Sequence, residues 1–160
     1  MVTTERSVNP DMPTRHEGGC VCGAVRYVTE GAPERVSLCH CAWCQKRTGT
    51  AFGTEAVFRE EAVRFTKGAP KVYRHHSDLS GRWLDQHFCG DCGANLGLTL
   101  EAVPGIRSIP AGTFDDPSWI SPRMQTFRAI FLRSARDWSD VPAGIERHVV
   151  LRLGAGDAAV

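Results

Sequence analysis

Cysteine spacing constrains this chain more than any other feature. The run Cys39-His-Cys-Ala-Trp-Cys44 places three thiols within six residues. Cys20 and Cys22 lie upstream of it and Cys89 and Cys92 downstream, which accounts for all seven cysteines. Cysteines one residue apart are awkward disulfide partners, because S–S geometry is narrow. The odd count also favours metal over disulfides. Zinc prefers four tetrahedral ligands, and thiolate is among its best. A C-x-C or C-x-x-C pair brings two sulfurs to one ion at small entropic cost, and pairs far apart in sequence staple distant strands. Cys20 and Cys22 with Cys89 and Cys92 would close a loop of nearly seventy residues. Such a site counts as folding energy, roughly 10 kcal/mol or more in small zinc peptides. Gly18, Gly19 and Gly23 surround the first pair and a glycine follows the second, letting the backbone turn its amides towards sulfur.

The central triplet offers three ligands. Three protein ligands plus an exchangeable fourth position is the pattern of catalytic zinc. Three thiolates on Zn²⁺ leave a formal negative charge, so the ion is a weak Lewis acid and ill suited to making hydroxide. It is better suited to holding an incoming thiol as thiolate. The chemistry therefore points to a sulfur substrate. Spacing alone leaves open a single four-cysteine site drawn from another combination, with spare thiols.

The chain has 160 residues, 42% of them apolar, enough for one domain with a real core. Nineteen basic residues against eighteen acidic ones give no basic face, so no nucleic-acid partner is expected. No window approaches the ~20 apolar residues of a membrane span, so no membrane partner is expected either. The first ten residues lack an apolar core for a signal peptide, and a cytoplasmic location with reduced thiols is expected.

Valine, phenylalanine and threonine positions with frequent turn signals predict mainly β structure. Strands are expected at AVRYV, RVSLCHC, TAFGTEAVF, AVRFTKG, KVYRHH, IRSIPAGTF and TFRAIFL, with strand, knuckle and strand in RWLDQHFCGDCGANLGLTL. Cys44 sits where a tight turn or the first turn of a short helix would place it. Residues 1–15 are expected to be flexible, 16–150 to form the domain and 151–160 to form a tail.

The segments GGCVCGAVRY, CHCAWCQKRTGTAF, FCGDCGANLG and AGTFDDPSW together resemble the glutathione-dependent formaldehyde-activating enzyme family, which includes the centromere protein V domain. The match runs over roughly residues 16–140. The resemblance implies a small β-tent, two or three antiparallel sheets in a single domain clasped by zinc. It implies two zinc ions: a structural one on Cys20, Cys22, Cys89 and Cys92, and a catalytic-type one on Cys39, Cys41 and Cys44. It implies a carbon–sulfur lyase activity, with glutathione or a similar small thiol and formaldehyde in equilibrium with S-hydroxymethylglutathione. One departure follows Pro122, where many relatives carry a histidine or aromatic residue and this chain has Arg123, Met124 and Gln125.

Other residues near the triplet are weighed by chemistry. Lys46 and Arg47 would grip a substrate carboxylate or lie in a solvated turn. Trp43, Thr48, Gly49 and Phe52 would wall a pocket, with Phe52 equally at home in the core. Strand alternation turns His40 away from Cys39 and Cys41, behind the ligands or into the core. His75 and His76 read as ordinary surface or strand residues, His87, two before Cys89, as an ordinary residue or one behind the metal ligands, and Trp83, Trp119 and Trp138 as core or turn-packing residues. The competing reading is a non-catalytic module that holds a thiol or a protein partner.

Overall fold

The computed structural model describes residues 15–151. Three strands form one antiparallel sheet: β1 (Arg15–Gly19), β2 (Arg26–Glu30) and β5 (Val63–Lys67), in the order β1-β2-β5. Eight strands form the other. They are β3 (Arg35–Cys39), β4 (Gly53–Arg59), β6 (Lys71–His76), β7 (Trp83–Phe88), β8 (Asn95–Leu100), β9 (Val103–Pro110), β10 (Phe127–Ile130) and β11 (Glu146–Arg147). Their order is β11-β10-β3-β4-β9-β8-β7-β6. One α-helix, α1 (Ala42–Thr48), follows β3 among the described residues.

The chain is mainly β, as its composition predicts, and each strand segment read from the sequence carries a strand. The pairing differs in one place. β10 runs parallel to both β3 and β11, so the larger sheet is mixed and not wholly antiparallel. The cause is topological: the chain returns from β9 and inserts β10 at the free edge of β3. β1 was not singled out, because its glycine-rich text lacks a strand signature. Of the segments expected to be flexible, 1–14 and 152–160 lie outside the described residues. Arg15 opens β1, and Leu151 is half-buried.

Strand alternation gives the larger sheet two unlike faces. Val36 and Leu38 on β3, Ala56 and Phe58 on β4, Ile109 on β9, and Phe127 and Ala129 on β10 are buried in one cluster with Val25, Tyr27 and Phe114. That cluster joins the two sheets. Each large apolar side chain there contributes about 1.5–3 kcal/mol by leaving water. Tyr27 packs edge-on against Phe65 and Phe114 and hydrogen-bonds Thr113 through its hydroxyl. The opposite residues, Arg35, Ser37 and Cys39 on β3, Glu55 and Val57 on β4, and Arg128 and Ile130 on β10, face a cavity.

The tryptophans divide. Trp119 stacks on His16 and meets Phe114 edge-on, so it packs in the core. Trp83 is half-buried beneath Arg74, 4.5 Å above its ring. Trp138 is 73% exposed, which corrects the expectation of a packing role; no strand or turn covers its ring. No helix among the described residues is long and apolar enough to cross a membrane.

Candidate metal centres and the adjoining cavity

The outer cysteines converge. Cys20 directly follows β1 and Cys22 lies in the turn into β2. Cys89 directly follows β7 and Cys92 lies in the turn into β8. The two turns are built alike: Cys20 N donates to Val25 O and Cys89 N to Ala94 O, at 3.0 and 2.9 Å. Gly23 and Gly93, just past each pair, take left-handed φ values of 72° and 73°. A side chain there would oppose the turn, which explains the glycine in each knuckle. All four sulfurs lie within 4.8 Å of one another. Cys20 Sγ is 3.5 Å from Cys22 Sγ, which is 3.8 Å from Cys89 Sγ. Tetrahedral ligands at the Zn–S distance stand roughly 3.8 Å apart, so the donor set fits zinc. A metal held there would fasten the β1–β2 hairpin of the small sheet to the β7–β8 hairpin of the large one. Against burial, which raises it, the Val25 amide and the neighbouring thiols hold Cys20 down at about 6. That leaves a thiolate ready for metal.

The central trio is assembled by a strand end and a helix start. Cys39 is the last residue of β3, Cys41 is the N-cap of α1 and Cys44 lies in its first turn. Cys41 Sγ accepts from the Cys44 amide at 3.3 Å and lies 3.5 Å from Cys39 Sγ. The three sulfurs also lie within 4.8 Å of one another. Among the described residues no histidine or carboxylate completes them to four. Hydrogen bonds from Cys39 and Cys44, with the first-turn amides, pull Cys41 down to about 3. Donation to Cys41 raises Cys39 well above the ordinary thiol range. The trio thus fits a metal as three donors, with a cavity of about 580 Å³ beside it.

His40 is fully buried with its ring 5.0 Å from that of Phe52, on the side away from the thiols, as alternation requires. Its backbone holds the site instead. Gln45 donates to His40 O at 2.6 Å and to Ser134 O at 2.8 Å, while accepting from Arg136 at 2.8 Å. Those bonds tie α1 to the segment after β10. Phe131 there adopts a left-handed backbone, φ 58°, uncommon for a bulky residue, and packs with Cys39 and Cys44.

The residues proposed to wall the pocket separate by helix face. Trp43 and Lys46, three apart on α1, both line the cavity, and Trp43 stacks on His75 at 5.5 Å. Arg47, Thr48, Gly49 and Phe52 do not line it. Arg47 is buried, ion-paired to Glu55, and 4.0 Å from Cys44 Sγ. Burial pushes Glu55 up, and Arg47 opposes that shift. Thr48 Oγ1 donates to Cys44 O at 2.7 Å, and Gly49 ends the helix in a left-handed conformation. Phe52 packs against the core cluster. Arg123, Met124 and Gln125 also stay out of the cavity, with Met124 against the core.

Sequence reading missed most of the cavity lining, among it Arg35, Ser37, Glu55 and Arg128, and His75, which it read as an ordinary strand residue. The alternation of β3 and β4 carried a signal for the first three, since they share a face with Cys39. Nothing local in the sequence marked Arg128, whose place depends on the parallel pairing.

A family model described as "Glutathione-dependent formaldehyde-activating enzyme" matches residues 15–130. A curated protein of Halomonas elongata that carries the same family name is 24% identical over 128 residues, spanning 78% of this chain and 80% of that protein. A crystal structure of a Rhodobacter sphaeroides protein superposes with a TM-score of 0.49 at 20% identity, covering 67% of this chain and 92% of the other.

Proposed function

The chain belongs to the glutathione-dependent formaldehyde-activating enzyme family, and from that premise we propose that it is a zinc-dependent carbon–sulfur lyase-type enzyme joining and parting a glutathione-type thiol and formaldehyde. The observation that carries this reading is the trio Cys39, Cys41 and Cys44, three converging sulfurs beside a cavity with no fourth ligand among the described residues. A site meant only to hold the fold together would be closed by a fourth ligand, as the outer cysteines are.

A bound zinc would supply a centre that favours the thiolate form of an incoming thiol and polarises a carbonyl oxygen. The chain's own residues do the rest. Cys41, held low by its helix-cap position, and Cys39 and Cys44 would be the ligands. Arg47 sets its charge beside Cys44 while Glu55 fixes the guanidinium in place. Trp43 and His75 form a stacked wall of the cavity. In the reaction the thiol sulfur bonds the aldehyde carbon, the carbonyl π pair becomes an oxygen lone pair, and the thiol proton ends on that oxygen. The product is S-hydroxymethylglutathione, and cleavage is the reverse. Holding thiol and aldehyde together removes most of the entropic barrier to meeting.

Thiols add to formaldehyde unaided, so the test is a rate above that background. Exchange between glutathione and S-hydroxymethylglutathione, followed by NMR, is expected to accelerate with wild-type protein and to fall to background with Cys41→Ser. Saturable glutathione binding with no acceleration would replace the enzyme reading by that of a thiol carrier.

A further inference from the structure

Two arginines in the cavity lining, Arg35 and Arg128, stand close enough to repel each other. Arg35 opens β3, and Arg128 stands opposite Ser37 in the parallel β3–β10 register. Both are half-withdrawn from water. Arg128 Nε donates to Ser37 Oγ at 3.2 Å. Among the described residues neither its terminal nitrogens nor the Arg35 side chain has a hydrogen-bond partner, although Glu34 acts on Arg35 and Glu146 on Arg128 through charge. The nearby acids are engaged elsewhere: Glu34 pairs with Arg59, and Glu146 with His148. Burial depresses both guanidinium groups and Arg35 depresses Arg128 further, more than Glu34 near the first and Glu146 near the second restore. Two neighbouring cations in a partly dry cavity are unfavourable unless an anion joins them. Lys46 and Arg133 add positive charge to the same lining, whose two acids are Asp78 and Glu55, the latter committed to Arg47.

We propose that Arg35 and Arg128 form a carboxylate-binding subsite that clamps the acid group of a small thiol whose sulfur lies at Cys39, Cys41 and Cys44. The proposal rests on the thiol-binding reading of that trio. Arg35, Ser37 and Cys39 share one face of β3. At about 3.3 Å per residue, Ser37 lies roughly 7 Å and Arg35 roughly 13 Å from Cys39 along the strand. A carboxylate one or two residues from a cysteine side chain falls within that span. Guanidinium groups grip carboxylates bidentately, and Leu84, Leu98 and Val57 around the cavity lower the local dielectric and strengthen the grip. The subsite selects acidic thiols over neutral ones.

Zinc-loaded protein would be titrated calorimetrically with four probes. S-methylglutathione keeps both carboxylates and has no thiol; its diethyl ester lacks the acids; cysteamine is a thiol without an acid; inorganic phosphate is a bare anion. S-methylglutathione is expected to bind the wild type, and to bind Arg35→Gln or Arg128→Gln roughly ten- to a hundredfold more weakly. Cysteamine binding is expected to be equal in all three proteins. Arg128→Lys, which keeps charge but not the fork, is expected to fall between, and it serves if a Gln variant fails to fold. The subsite is refuted if S-methylglutathione fails to bind the wild type, binds it no better than its diethyl ester or phosphate, or is indifferent to the arginines. Loss of cysteamine binding in the wild type, with S-methylglutathione still sensitive to the arginines, would instead remove the thiol site and leave the carboxylate site standing.

Discussion

At the scale of single residues, Arg47 repays attention because its place in the sequence misleads. It lies three residues past Cys44, where a basic side chain reads as a grip for substrate or a solvated turn. Its side chain is 3% exposed and Glu55 is 6% exposed, so the two form a buried ion pair. Removing one member strands the other charge away from water. Arg47→Met is therefore expected to cost about 3–5 kcal/mol, whereas Arg47→Met combined with Glu55→Leu should cost much less. Urea unfolding of the single and double variants checks this; a double variant as unstable as the sum of the singles would contradict a coupled pair. The sequence held half of this. Alternation along β4 puts Glu55 on the same face as Val57, but no local signal announces which cation meets it.

At the scale of elements, the strands were legible and their company was not. Period-two patterns mark β3, β4 and β10 because each turns one apolar face into the core cluster and the other towards the cavity. Which edge β10 joins is decided by tertiary packing, and the parallel pairing brings Arg128 beside Ser37. β8 and β9 approach so closely that a Cβ on Gly97, φ 109°, would lie 1.8 Å from Ser108 O. By contrast, a Cβ on Gly93, φ 73°, meets nothing within 4 Å. Gly93→Ala should thus cost only the left-handed backbone penalty, about 1–2 kcal/mol. Gly97→Ala should cost clearly more, because the two strands must separate. Thermal melts of the two variants rank them, and equal losses would argue against the close approach.

His87 on β7 adds a pH dependence. Burial holds it down at about 4 from an ordinary value of 6.5. As pH falls below about 6.5 the unfolded chain gains a proton that the folded chain refuses until about 4. Stability from this group is therefore full above that window and drains through it. His87→Gln, which can keep the bond to Thr99, is expected to flatten the acid side of the stability profile between about pH 6.5 and about pH 4. An unchanged slope would mean the ring is not shielded.

At the scale of the whole molecule, seven sulfurs gather into a cluster of four and a cluster of three, which the proposal assigns to a clasp and an open centre. The clasp joins two sheets otherwise held by one apolar cluster, and Cys22 and Cys89, in contact at 3.8 Å, are 67 residues apart in the chain. Spacing made each local pair and the triplet legible but left open which of them share an ion; the convergence of the two knuckle turns decides that grouping. The cavity and its arginines were not legible, since they exist only once distant strands share a sheet. Zinc stoichiometry by elemental mass spectrometry, read together with circular dichroism, tests the division most directly. About two ions per chain are expected in the wild type, falling to about one in a folded Cys41→Ser protein, while Cys89→Ser should lose the fold. A Cys41→Ser protein that unfolds or retains both ions, or a Cys89→Ser protein that stays folded, would contradict it.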